Sequence, residues 1–433
     1  MGRGVDQVEA VNITNCHAEQ SEASPRNSRE TLRFAQGDAE RALTQFIRAA
    51  VPFDGDAVVA PVIDADQWNA LAQIAGANNL TPVLYAALMQ IEDSPAPPAL
   101  VESLQDAYHQ TKLANWVAFR EVGELISIFE REKIALVLLK GAALAKTVYP
   151  AIAMRPMGDV DIFIRRDDAP RVRDILIARG FAIGLEPRQD YYDEFSYDQA
   201  FVRAGKYPLA LEAHWHLFGQ PYNRNRIPIE WFWDRTMPIR INDQTARAFA
   251  PSAQIIHLAA HAVLHHQGHN LLAAYDLALV LAQYRDQIDW DEIVKAARKF
   301  ELSRILHAQL TRTRAAWGVA APDDVIARLA RAVGLRERIL FAVNTSPHVE
   351  AHDLWDALNQ PRGKSKLGYL KPILFPSRDY MLQRYGITNA RDLPMHYARR
   401  LGRGAQMFAR SVMAMARNVM REQIPGFSKK PGI

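Results

Sequence analysis

Apolar positions recur at helical spacing over much of the chain from Ala39 onward. Ala42, Leu43, Phe46 and Ile47, then Trp68, Leu71 and Ile74, then Leu84 and Leu88, predict short amphipathic helices. Pro95 to Pro98 breaks the pattern, and Leu100 to Lys133 reads as one long helix with Trp116, Phe119, Val122, Leu125, Ile126 and Phe129 as its packing residues. The period then changes. Leu136-Val137-Leu138-Leu139 is a continuous apolar run ended by Lys140-Gly141 and an alanine-rich segment, the pattern of a buried strand turning into a helix. Asp159 to Ile164 predicts a second short strand. A helix follows, with Pro170 in its first turn, a cap at Asp167 or Asp168, and a stop at Gly180. Ala200-Phe201-Val202 and Leu209 to Trp215 flank Gly205-Lys206-Tyr207-Pro208 and predict an antiparallel hairpin. Beyond Ile255 the spacing is helical again, through Leu279–Ala282, Ile293–Phe300, Ile305–Trp317 and Val325–Leu340. Residues 1–38 lack sustained periodicity and predict disorder; part of this stretch also reads like translated repeat DNA, so the true start is expected downstream.

The chemistry concentrates between Leu136 and Arg166. Gly141 suits a tight turn and leaves helix amides open to a phosphate. Asp159 and Asp161 sit at alternate positions of the predicted strand, roughly 6.6 Å apart on one face, where two carboxylates can share divalent cations. On the later strand Glu212 and His214 share a face opposite Leu211 and Ala213. His257, His261 and His265 recur every four residues on one helical face. They fit a histidine-lined domain seam better than a transition-metal site, since no HExxH or cysteine pattern accompanies them. An intermediate reading has His261 or His265 touching substrate phosphate, with Asp276 orienting one imidazole.

Leu138-Leu139-Lys140-Gly141, Ala143-Leu144, Tyr149-Pro150 and Arg155-Pro156-Met157-Gly158-Asp159-Val160-Asp161 together resemble the nucleotidyltransferases of the DNA polymerase β superfamily. Within it the stretch from Ala135 to Asp276 is most similar to a bacterial family of uncharacterised nucleotidyltransferases. The superfamily usually has Gly-Ser or Gly-Gly at the turn; here Ala142 follows Gly141. The resemblance implies an α/β (α+β) fold, a small mixed-sheet core with a large helical remainder. It implies transfer of a nucleoside monophosphate from an NTP to an acceptor hydroxyl, with two Mg2+ ions held by Asp159, Asp161 and Glu212, the third carboxylate. Lys140, Gly141 and Arg155 would contact the triphosphate, and His214, His261, His265 and Asp276 would contact substrate. For Arg155 a salt bridge that anchors the turn is the competing reading. The acceptor stays open among a small molecule, RNA and a protein hydroxyl. The alternative function is a non-catalytic nucleotide- or partner-binding module of a toxin–antitoxin-like or biosynthetic-cluster system.

At 433 residues the chain is long enough for more than one domain. The expected divisions are a disordered 1–38, a helical 39–113, a nucleotidyltransferase core over 114–245, a helical 246–360, and a basic linker and C-terminal helix over 361–433. No apolar run is long enough to span a bilayer, no secretory signal is expected, and the single cysteine, Cys16, fits a reducing cytoplasm. Charge adds one asymmetry. From Pro361 onward fifteen Lys/Arg face three Asp/Glu, a surplus of twelve, so the rest of a chain of net charge +4 carries −8. A basic tail with an apolar stripe at Met407, Phe408, Val412, Met415 and Val419 predicts packing onto the helices, with polyanion or membrane-surface binding as the other options.

Overall fold

A computed structural model describes residues 26–403 and 406, apart from 52, 54–60, 92–95, 185–195, 346–355, 357–358, 361–373 and 388. The expected linker at 361–371 and the apolar stripe from Met407 to Val419 lie outside the described residues.

Five strands form one mixed sheet: β1 (Leu136–Leu138), β2 (Val160–Ile164), β3 (Ala182–Ile183), β4 (Asp198–Arg203) and β5 (Leu209–His214), in the order β1-β2-β5-β4-β3. Only β2 and β5 run parallel, and the connection between them carries β3, β4 and a helix, α6 (Ala169–Ala178, below). The hairpin expected around Gly205 forms as β4 and β5, with Val202 opposite Ala210. Alternation then sorts the side chains by face. Leu136, Leu138, Val160, Ile162, Ile164, Phe201, Leu209, Leu211 and Ala213 fall in one buried apolar cluster. Phe119, Val122, Leu125, Ile126 and Phe129 of α4 (Pro98–Arg131) close that cluster, with Val172 and Leu176 of α6. Gly180 ends α6 with a left-handed φ of +84°, but Asp168 bonds Arg171 at 3.2 Å instead of capping the helix.

A second, two-stranded sheet, β6 (Thr236–Ile241) and β7 (Gln244–Phe249), lends Ile239, Ile241, Ala246 and Ala248 to the same cluster. Its turn places Asn242 at φ +53°, which asparagine tolerates better than most residues. The Asn242 Nδ2 donates to the Phe119 carbonyl of α4 at 3.0 Å and so ties the hairpin to the long helix.

The other face of the sheet meets helices from both flanks. α1 (Arg26–Ala50), α2 (Ala65–Ala77) and α3 (Thr81–Leu88) contribute Leu43, Phe46, Trp68 and Leu84 to a second cluster. α7 (Pro251–Leu264), α8 (Leu271–Gln283), α9 (Trp290–Phe300) and α10 (Ser303–Trp317) add Ile256, Tyr275, Phe300 and Trp317 to the same cluster. Val137 and Phe163 of the sheet reach into it. Two of the sequence-based divisions therefore differ from the structure. Residue 113/114 falls inside α4, and the helices of 39–113 and 246–360 share one core instead of building two. α1 also reaches back to Arg26, into the stretch read as disordered; Arg, Glu, Leu, Ala and Gln favour helix there even though the composition is polar.

Candidate active site

The polar centre lies on the sheet face turned toward α7. In the parallel register Asp161 is opposite Glu212 and Phe163 opposite His214, while the antiparallel register puts Asp198 opposite His214. Paired residues share a face, so Asp161, Glu212, His214 and Asp198 converge. Among the described residues, Asp161, Glu212 and His214 form the group that could hold a metal, with ligand atoms all within 4.8 Å of one another. Asp159 stands in the bend before β2, not on the strand, and lies outside that group. The strand begins one residue later than the sequence predicts, at Val160.

The hydrogen bonds converge on one oxygen. Asp161 Oδ1 accepts from Lys140 Nζ at 2.7 Å and pairs with His214 Nε2 at 2.8 Å; the same Nε2 is 3.4 Å from Glu212 Oε2. On its far side His214 Nδ1 is 3.7 Å from Asp198 Oδ2, an electrostatic contact longer than a hydrogen bond. Burial disfavours every charge here, yet Asp161 is held well below the usual carboxylate range by Lys140 and His214. Burial likewise works against the Lys140 ammonium, and the charges of Asp161, Glu212 and Asp159 outweigh it. His214 is pushed up to about 9 by its contacts with Asp161 and Glu212 in spite of burial. Asp159 moves the other way, raised to about 7 by burial and then by the charges of Asp161 and Glu212.

Lys140 opens α5 (Lys140–Thr147) with a φ of +45°, a left-handed backbone rare for a residue with a side chain. Gly141 is buried, and a Cβ there would meet Met157 Cγ at 3.0 Å and Arg155 Nη1 at 3.4 Å. The space expected in front of the helix for phosphate is thus shared with those two side chains.

Arg155 has a partner of its own. Its Nε and Nη2 donate to Asp276 Oδ1 and Oδ2, each at 2.8 Å, and Nη1 donates to the Pro156 carbonyl. Tyr149 Oη donates to the same carboxylate at 2.6 Å. Asn115 of α4 clasps the segment from below, its Nδ2 donating to the carbonyls of Ile152 and Arg155 at 2.6 and 2.8 Å. Arg155 thus anchors the segment leading to Asp159, and Asp276 serves Arg155 and Tyr149, not an imidazole as the sequence suggested. Helical spacing places Asp276 on α8, but nothing local in the sequence links it to a residue 121 positions earlier.

The three histidines of the α7 region form an array beside the centre. His261 stacks on His265 at 4.6 Å between ring centroids, His261 Nε2 lies 3.1 Å from His266 Nε2, and His257 packs edge-on to Phe249. Tyr197, unremarked in the sequence, stands between the array and the sheet, 6.0 Å from both His265 and His214 by ring centroids. Gly219 makes room for it: a Cβ there would meet Tyr197 Cε1 at 2.6 Å. Gly219→Ala is expected to cost about 1–3 kcal/mol of stability by overpacking this wall; an unchanged urea midpoint would refute the close fit.

A model of the family described as uncharacterised nucleotidyltransferase matches residues 64–318, more than half of the chain. The chain belongs to this nucleotidyltransferase family. No curated protein matches it. Among solved structures, an antigenic nucleotidyltransferase-like protein from Paracoccidioides brasiliensis is similar at 12% identity and a TM-score of 0.33, over 48% of this chain and 95% of its own.

For a nucleotidyltransferase, the test of the centre is whether its donors suit a divalent cation. Ligand bonds of about 2.0–2.6 Å keep the donors of one ion within about 5.2 Å of one another, and the ligand atoms of Asp161, Glu212 and His214, all within 4.8 Å of one another, meet that limit. The match to the family includes every member of the group, Lys140 and the Arg155–Asp276 pair. His214, expected as a substrate contact, belongs to the donor set, and His261 and His265 stand behind Tyr197.

Proposed function

We propose that this protein is a metal-dependent nucleotidyltransferase that moves a nucleoside monophosphate from an NTP to an acceptor hydroxyl, releasing pyrophosphate. The observation that carries the reading is the donor set itself, brought together by the parallel pairing of β2 with β5. A divalent ion such as Mg2+ supplies charge to polarise the phosphates. Asp161 and, once its proton is released, His214 would hold that ion from within the sheet, each with 5% of its side chain exposed. Glu212 keeps 33% exposed and is the member an acceptor can reach, so it takes the acceptor's proton. Lys140 faces the same carboxylates and neutralises phosphate charge. Asp159, at the lip of the centre, completes its negative lining.

The test is incubation with each labelled NTP and a divalent cation against fractionated lysate, followed by identification of the labelled fraction. Asp161→Asn and Glu212→Gln keep shape and lose anionic character. Each is expected to cut labelling roughly a hundredfold or more. Near-wild-type labelling by either variant would overturn the assignment. One observation favours a second reading, a non-catalytic nucleotide-binding module: the Lys140 ammonium already partners Asp161. Nucleotide binding without transfer to any fraction would select it.

A further inference from the structure

We infer that the centre takes a single divalent cation, with Lys140 supplying the second positive charge from the protein itself. The inference rests on the metal-dependent reading above and concerns how many ions that reading requires. In a two-ion centre the metals sit about 3.5–4 Å apart and clamp the attacking and leaving oxygens together, which calls for carboxylate donors enough for both. Here Asp161 Oδ1 already meets a cation of the protein itself, Lys140 Nζ at 2.7 Å. Among the described residues a single group of three or more His, Cys, Asp or Glu side chains has ligand atoms close enough to share an ion, and Asp159 is not in it.

The placement of Lys140 is built into the backbone. Its φ of +45° is a conformation that a residue with a side chain holds when its surroundings fix it there. The side chain is 17% exposed and ends on the carboxylate. Leu139, one residue earlier, is pinned to the neighbouring strand by its N–H donating to the Asp161 carbonyl at 3.1 Å. The root of the lysine and the carboxylate that it meets are therefore held by the same β1–β2 contact.

The experiment is Mn2+ titration of the full-length protein, with bound metal counted by electron paramagnetic resonance and elemental analysis, with and without a non-hydrolysable NTP analogue. Wild type is expected to hold one ion per chain in both conditions. Lys140→Gly removes the ammonium while suiting the left-handed backbone, and it is expected to take up a second ion with the analogue present. Lys140→Arg keeps the charge and is expected to stay at one. Two ions in the wild type overturn this inference and leave metal-dependent transfer standing. One ion in Lys140→Gly under all conditions also overturns it, because the lysine then replaces nothing. No bound ion in the wild type overturns the inference and the metal-dependent reading together, and labelling from NTP without any divalent cation would identify that case separately. The wild-type count stands as a test by itself if the variants fail to fold.

Discussion

Asp276→Ala should destabilise the protein by about 3–5 kcal/mol, more than the loss of any exposed ion pair. Asp276 receives two parallel donors from Arg155 and one from Tyr149, with 3% of its side chain exposed against 12% for Arg155. Removing the carboxylate leaves a mostly buried guanidinium without its charge partner and a phenol without its acceptor. At this size each kcal/mol is worth roughly 2–4 °C, so a fall in Tm on the order of 10 °C is the expected reading, alongside a lower urea midpoint. The same change should also loosen the segment from Tyr149 to Asp159, because Arg155 and Tyr149 lose their shared anchor and Asn115 is left as the side chain that bonds its carbonyls from α4. Nucleotide binding should weaken even under conditions where the variant is fully folded. Replacing both partners, as Arg155→Met with Asp276→Leu, should recover much of the stability and little of the binding. A loss below about 1 kcal/mol for Asp276→Ala would show that water reaches the clamp.

The clamp also shows what local pattern in a sequence can and cannot convey. Strand alternation sorted Leu211 and Ala213 from Glu212 and His214, and those two pairs do face opposite ways. The strand–Lys-Gly–helix unit and the Gly205 hairpin were legible because each is a contiguous signal of apolar run, glycine and proline. The fold class was legible for the same reason, with the resemblance supplying the mixed sheet. What periodicity does not encode is which distant elements meet. Arg155 finds Asp276 across 121 residues, and α1 to α3 share a core with α7 to α10 although the sheet separates them in the chain. The parallel pairing of β2 with β5 makes a donor set of Asp161, Glu212 and His214, and no spacing in the sequence distinguishes it from the Asp159–Asp161 pair. Lys140 illustrates a third limit. A lysine next to glycine reads as a phosphate contact, whereas its left-handed φ and its bond to Asp161 appear once the strands are paired.

Stability should fall steeply as pH drops below about 6.5, and the histidine array beside the sheet is the reason. In the unfolded chain these imidazoles charge near pH 6.5. In the fold, burial holds His257 down to about 3, and burial together with the Lys140 charge holds His261 and His265 well below their usual value. His216, lowered to about 4 by burial and Arg224, behaves alike. Between those folded values and 6.5 the unfolded state binds more protons, so acid favours unfolding. Asp159 opposes this: raised to about 7, it binds a proton in the fold that the unfolded carboxyl takes up only near pH 4, and it cancels one group. His214, raised to about 9, is charged in both states below 6.5; its contribution is instead lost as pH rises through 9. These groups leave a net of three, a slope of up to about 4 kcal/mol per pH unit from them, which partial exposure of His261 and His265 lowers; Asp198 and Glu337, raised by burial, oppose it, and His269 and His307, lowered by burial, add to it. Urea midpoints measured at pH 7.5, 6.0 and 5.0 should therefore drop together, with most of the loss between the last two. His265→Gln should flatten the profile by up to one proton, since Gln cannot charge and its amide can fill the space next to His261. Midpoints that stay level from pH 7.5 to 5.0 would mean that the array charges inside the fold, with water or a ligand stabilising it there.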